Sequence, residues 1–170
     1  MRLTEHFLLA EFVRVPASAV PTGVIENLSA LCVRLLEPLR EAMGLEVVIH
    51  SGWRPPAHNA AVGGVEGSDH ETGRAADFHV AAGCDRSWEE NTMEAYHWLR
   101  RHRLPYIGQL ILEDHRIPLK DSGKLWVHAS TPSAKHPGMG DGNQLLVSFD
   151  LDEKGKPIYQ KFSDSIGGFA

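Results

Sequence analysis

From Val24 to Met43 apolar side chains recur at steps of three and four residues: Ile25, Leu28, Leu31, Leu35, Leu36, Leu39 and Met43. That is the period of a helix with one buried face, so this stretch is predicted to pack as a helix against the rest of the core. Gly44 follows at the position where a left-handed cap ends a helix. Pro38 falls inside the run and removes one backbone donor, which predicts a kink. Short β-branched or apolar runs at Glu46–Ile49, Ala75–Val80, Ile107–Leu112, Lys124–Ser130 and Gln144–Leu151 read as strands. A second helix is expected after Ser87, which forms a capping box with Glu90 and is followed by Trp88, Thr92, Ala95, Trp98, Leu99 and His102 at helical spacing. This order fits an α+β fold, compact, with a mostly antiparallel sheet flanked by helices.

At 170 residues the chain has the length of one domain spanning 1–170, able to bury a core without a metal or disulfide scaffold. Residues 1–22, broken by Pro16 and Pro21, read as an N-terminal arm, and residues 152–170 as a C-terminal edge hairpin and tail. Seventeen Lys and Arg against 22 Asp and Glu give a formal net charge of -5, which offers no overall attraction to nucleic acid or an anionic membrane. No apolar run reaches the roughly 20 residues that span a bilayer, so membrane insertion is not expected. The opening MRLTEHFLLAEF lacks the apolar stretch and cleavage site of a secretory signal, and synthesis in the cytoplasm is expected. Cys32 and Cys84, with no CxxC, read as small buried hydrophobes rather than a disulfide or thiolate cluster.

Ten histidines are the informative part of the composition. In SDHETGRAADFHV, His70 and Asp77 are separated by Gly73 and two alanines, so a loop residue and a strand residue can converge with little bulk between them. In LWVHAS, His128 shares a strand face with Trp126 by alternation. Two imidazoles and a carboxylate would give zinc three protein ligands and leave the fourth position for water, the pattern of a catalytic site. Spacing alone leaves open the alternative of a surface histidine beside a solvated acid. Upstream, the glycine- and proline-rich segment 51–68 reads as a loop, long enough to point to function.

Ser68, His70, Gly73, Ala75 and Asp77 match SxHxxGxAxD, with SGWR at 51–54 before it and WVH at 126–128 after it. Together they resemble the zinc D-Ala-D-Ala carboxypeptidases and peptidoglycan endopeptidases of metallopeptidase family fifteen, with similarity running from LTEHFLLAEF through WVHAS. The resemblance implies a hedgehog/DD-peptidase-like zinc fold and a zinc peptidase acting on peptidoglycan stem peptides. It implies His70, Asp77 and His128 as Zn2+ ligands, Arg54 as a clamp for a substrate carboxylate, and Ser68 as a hydrogen-bonding partner of substrate or of its own loop. An endolysin-like role in phage or prophage lysis is expected on this reading, with the protein meeting the wall after release and working as a monomer.

One position departs from that pattern. Several relatives carry an acid three residues before the last histidine, where this chain has Leu125. The general base is therefore expected at Glu113, which reaches the His128 face if the strands at 107–113 and 124–130 pair as a hairpin; Asp121 is the reserve. His79 shares the Asp77 strand face and is a candidate neighbour or competing ligand, while His50 and His115 approach the site in sequence only. His6, His58, His97, His102 and His136 are expected to be surface or structural residues. The missing acid also admits a second reading, a noncatalytic zinc-containing wall or virion binding module of the same fold.

Overall fold

The computed structural model describes residues 1–114, 125–138, 145–154 and 156–162. The apolar stripe forms helix α2 (Thr22–Leu31), a π-helical turn (Cys32–Leu36) and helix α3 (Glu37–Met43), closed by Gly44 in the left-handed conformation at φ 65°. The widened turn lies immediately before Pro38, the position where the sequence predicts a kink. Glu37 donates its N–H to Cys32 O, so one extra residue enters the turn just before the proline that has no donor to offer. Leu28, Leu31, Leu35, Leu36 and Leu39 are fully buried. The N-terminal segment joins the same core: helix α1 (Leu9–Phe12) buries Leu9 and Phe12, and Phe7 meets Phe12 edge to face.

Six strands form one sheet: β1 (Val47–Ser51), β2 (Ala75–Val80), β3 (Leu110–Asp114), β4 (Leu125–Ser130), β5 (Leu145–Leu151) and β6 (Pro157–Lys161). Their order is β1-β2-β4-β3-β5-β6, antiparallel throughout except for the parallel β3/β5 pair. Helix α5 (Trp88–His102) begins with the expected Ser87/Glu90 capping box and packs on β2, β3 and β4. The fold is thus α+β with a mostly antiparallel sheet and helices against it.

Two-residue alternation sorts the sheet into two faces. Ala76, Phe78 and Val80 of β2, Leu110 and Leu112 of β3, and Leu125, Val127 and Ala129 of β4 enter the core beneath α5. Asp77, Ile111, Glu113, Trp126 and His128 therefore face the other way. The register sets Asp77 and Ile111 on either side of His128, and Glu113 opposite Trp126.

Two expectations need correction. The 51–68 segment is not all loop, because helix α4 (Pro56–Ala61) lies within it, started by Pro55 and Pro56 where a helix loses nothing by lacking donors. Cys84 is exposed, whereas Cys32 is buried as expected. No helix among the described residues is long and apolar enough to cross a membrane.

Candidate metal centre and its groove

His70 sits in a short 3-10 turn (Asp69–Thr72) whose entry is capped by Ser68, the Oγ accepting from His70 N at 3.4 Å. Gly73 ends the turn at φ 72°, a conformation costly for any side chain, and a Cβ there would press on Val24 at 2.9 Å. The small residues of the motif thus let the turn lie against α2 while β2 begins two residues later. His70 Nδ1 donates to Gly52 O at 2.6 Å, which turns the lone pair of Nε2 toward the sheet. Gly52 is itself pressed on Phe12, where a Cβ would come within 2.6–2.8 Å, and Trp53 N donates to Phe12 O. The N-terminal helix therefore braces the residue that orients His70.

On the open face of the sheet three ligand-type atoms converge. His70 Nε2 lies 3.2 Å from Asp77 Oδ1 and 3.2 Å from His128 Nδ1, and His128 Nδ1 lies 2.9 Å from Asp77 Oδ1. Among the described residues, His70, Asp77 and His128 are the one group of three or more such side chains able to hold a metal ion. The separations suit zinc, whose tetrahedral bonds of about 2.0–2.1 Å place neighbouring ligand atoms about 3.3 Å apart. Burial by itself would raise the Asp77 carboxyl, yet its contacts with the His70 and His128 imidazoles hold it far below the usual carboxylate range. Asp77 is thus an anion at any pH at which the protein would work.

Arg54 approaches the other carboxylate oxygen, with Nη2 at 3.8 Å from Asp77 Oδ2. Its backbone N–H donates to His70 O, and its Nε is buried without a hydrogen-bond partner. A groove of about 500 Å³ runs over the cluster, lined among others by Arg54, Ser68, Glu113, Trp126 and Tyr159. Glu113 does share the His128 face, and only 7% of it is exposed. Burial, then the Asp77 charge, push its carboxyl up to about 7 against the opposing effects of His128, Tyr159 and Trp126. Leu125 faces the core at 3% exposure, since its strand alternates Leu125, Val127, Ala129 inward.

His79 does not join the cluster: its Nδ1 lies 2.6 Å from His50 Nε2, the two rings stack, and Trp88 meets His79 edge-on. His50, linked to the site only by sequence in the motif reading, is thus the partner that occupies His79. Asp121 and His115 lie outside the described residues. His136, expected at the surface or in a structural role, lines the groove and bonds buried Asp69 at 2.7 Å. Tyr159, also missed, brings its hydroxyl to 3.4 Å from Glu113 Oε1. Its only sequence signal is the alternation of an exposed edge strand, which says nothing about what crosses above it.

Residues 5–103 match the family described as Peptidase M15. The matched span contains Arg54, Ser68, His70 and Asp77; Glu113, His128, His136 and Tyr159 lie beyond it. No curated protein matches the chain.

Proposed function

Since the chain belongs to the Peptidase M15 family, we propose that it is a zinc-dependent peptidase that hydrolyses peptide bonds in the stem or cross-link peptides of peptidoglycan. The observation that carries this reading is the triangle of His70 Nε2, Asp77 Oδ1 and His128 Nδ1, with sides of 2.9–3.2 Å, beside a buried carboxyl poised near neutrality. Three acceptor atoms do not gather so closely without a cation or proton to share, and the donor set of two imidazoles and a carboxylate suits zinc.

His70, Asp77 and His128 would hold the ion. Zinc bound there supplies Lewis-acid polarisation of a carbonyl and activation of water at neutral pH. Gly52 O keeps the His70 ring in the tautomer that leaves Nε2 free. Glu113 takes the proton of the attacking water and passes it to the nitrogen of the breaking C–N bond, a cycle suited to a carboxyl that titrates near 7. Arg54, with buried unpartnered Nε and a guanidinium edge in the groove, binds a substrate carboxylate by paired hydrogen bonds. Ser68 acts through the loop, since its Oγ caps the turn that carries His70.

The test is mass spectrometry of purified peptidoglycan peptides after incubation with zinc-loaded protein, which identifies both activity and the bond cleaved. New peptides cut at one defined bond are expected. Intact peptides across varied stem and cross-link structures would replace the peptidase with a zinc-containing binding module.

A further inference from the structure

The groove continues past the metal cluster to an end at which the chain invests many contacts in posing one imidazole. Asp69 is 4% exposed and accepts a hydrogen bond from His136 Nδ1 at 2.7 Å. Ser133 and Ser130 also hydrogen-bond its carboxylate. The His136 backbone is fastened as well: its N–H donates to Ser133 Oγ and its carbonyl accepts from Ser133 N. The segment leading to it is held by Thr131 N on Arg74 O and by Arg74 Nη1 on Pro132 O. Gly108 closes the packing, since a Cβ there would lie 2.7 Å from Thr131 O and 3.0 Å from His136 O.

With Nδ1 donating to Asp69, Nε2 is the ring atom left facing the groove, where in that tautomer it offers a lone pair. Among the described residues it meets there only the Gln109 side-chain amide, at 3.5 Å, the outer limit of a hydrogen bond. Gln109, Ile111 and Glu113 share one face of the β3 strand line, and Ile111 is opposite His128. One two-residue step of a strand is about 7 Å. Along the strand direction His136, beside Gln109, and Glu113 therefore lie on opposite sides of the His128 position, and all three line the groove.

We propose that His136 binds substrate, its Nε2 accepting a main-chain N–H of a peptide laid along the groove, and that Asp69 is the positioning residue that sets the ring. This rests on the peptidase reading for the identity of the peptide, though not for the contact itself.

Two substitutions separate the ring's halves. In His136→Asn the side-chain amide retains a donor for Asp69 but nothing at the Nε2 position; in His136→Gln the amide reaches the Nε2 position and can accept there, while the Asp69 contact is lost. A purely structural histidine predicts that Asn is tolerated and Gln is not. A substrate-binding one predicts the reverse in binding: His136→Asn raises KM for a soluble peptidoglycan stem peptide about tenfold with kcat within about twofold, the size expected for one lost hydrogen bond. His136→Gln stays within about threefold of wild type in KM, although its melting temperature is the lower of the two. The same comparison, made by calorimetric binding of that peptide to zinc-loaded protein carrying Glu113→Gln, reads affinity without turnover. Wild-type affinity in His136→Asn, or equal losses in both variants, overturns the proposal. Binding that follows the predicted order, with no hydrolysis by the wild type, overturns the peptidase reading and leaves His136 as a ligand residue. Absence of both binding and hydrolysis overturns both.

Discussion

Asp77 Oδ1 is the atom both imidazoles share, at 3.2 Å from His70 and 2.9 Å from His128, so each ligand of the proposed zinc site holds the other two in place. His70→Ala, Asp77→Ala and His128→Ala are each expected to lose tight zinc binding, because two ligands hold the ion poorly; metal analysis of the purified variants checks this. Glu113→Gln is nearly isosteric and should keep its zinc while the hydrolytic rate falls by about 100-fold or more, as steady-state kinetics would show. The same substitution has a stability signature with a definite sign. Glu113 is raised from 4.5 to about 7 in the fold, so the native state favours the protonated carboxyl. That contribution is complete below about pH 4.5 and lost as pH rises through 7. With chelator present, Glu113→Gln should therefore melt above wild type at pH 8, and the two should converge near pH 4.5; a constant gap across that window would show an ordinary carboxyl. Arg54→Lys should keep zinc and fold yet lose about 2 kcal/mol of transition-state binding for substrates with a carboxylate beside the cleaved bond, seen as a drop in kcat/KM, because an ammonium cannot make the paired contact.

At the scale of the element, the strand decides which side chains can do chemistry. Leu125, Val127 and Ala129 of β4 point into the core, and Trp126 and His128 point into the groove. An acid introduced at position 125 would thus enter the core rather than the site. Leu125→Glu is expected to destabilise the protein by about 3 kcal/mol or more, through lost apolar burial and an unpaired buried carboxyl, without restoring activity to Glu113→Gln. Denaturant unfolding and a rate measurement on the double variant test both halves. Glu113, the proposed base, lies on the neighbouring strand, where register sets it opposite Trp126 and one step from the residue facing His128. The hairpin that makes this possible was legible as two apolar runs; the pairing partner of each residue was not, since a shift of one residue would turn every side chain over.

For the molecule as a whole, the proposed zinc site joins pieces far apart in the chain. His70 comes from the turn braced by Phe12 through Gly52, and Asp77 and His128 come from adjacent strands β2 and β4. A ion bound to all three should stabilise the native state by linkage, about 2.7 kcal/mol at a free concentration one hundred times Kd. Zinc addition to chelator-treated protein should raise the melting temperature in wild type and leave His128→Ala unmoved, as differential scanning calorimetry would report.

Local patterns were enough for the long helices and the strands, because periodicity, the Ser87 capping box and the Gly44 stop act over a few residues and do not depend on distant partners. Residue type and small residues between drew attention to His70, Asp77 and His128, but spacing alone left a surface histidine open, and it was the family resemblance that named the three as a ligand set. Other features depended on what lies across space. A π-helical turn formed just ahead of Pro38, α4 formed inside an apparent loop, and His79 was taken up by His50. His136 gained its place in the groove only because Asp69, 67 positions earlier, is buried beside it and needs a donor. Tyr159 reached Glu113 only because β6 closes the edge of the sheet next to β5. Such contacts follow from register and packing, and a residue's neighbours in the chain carry no record of them.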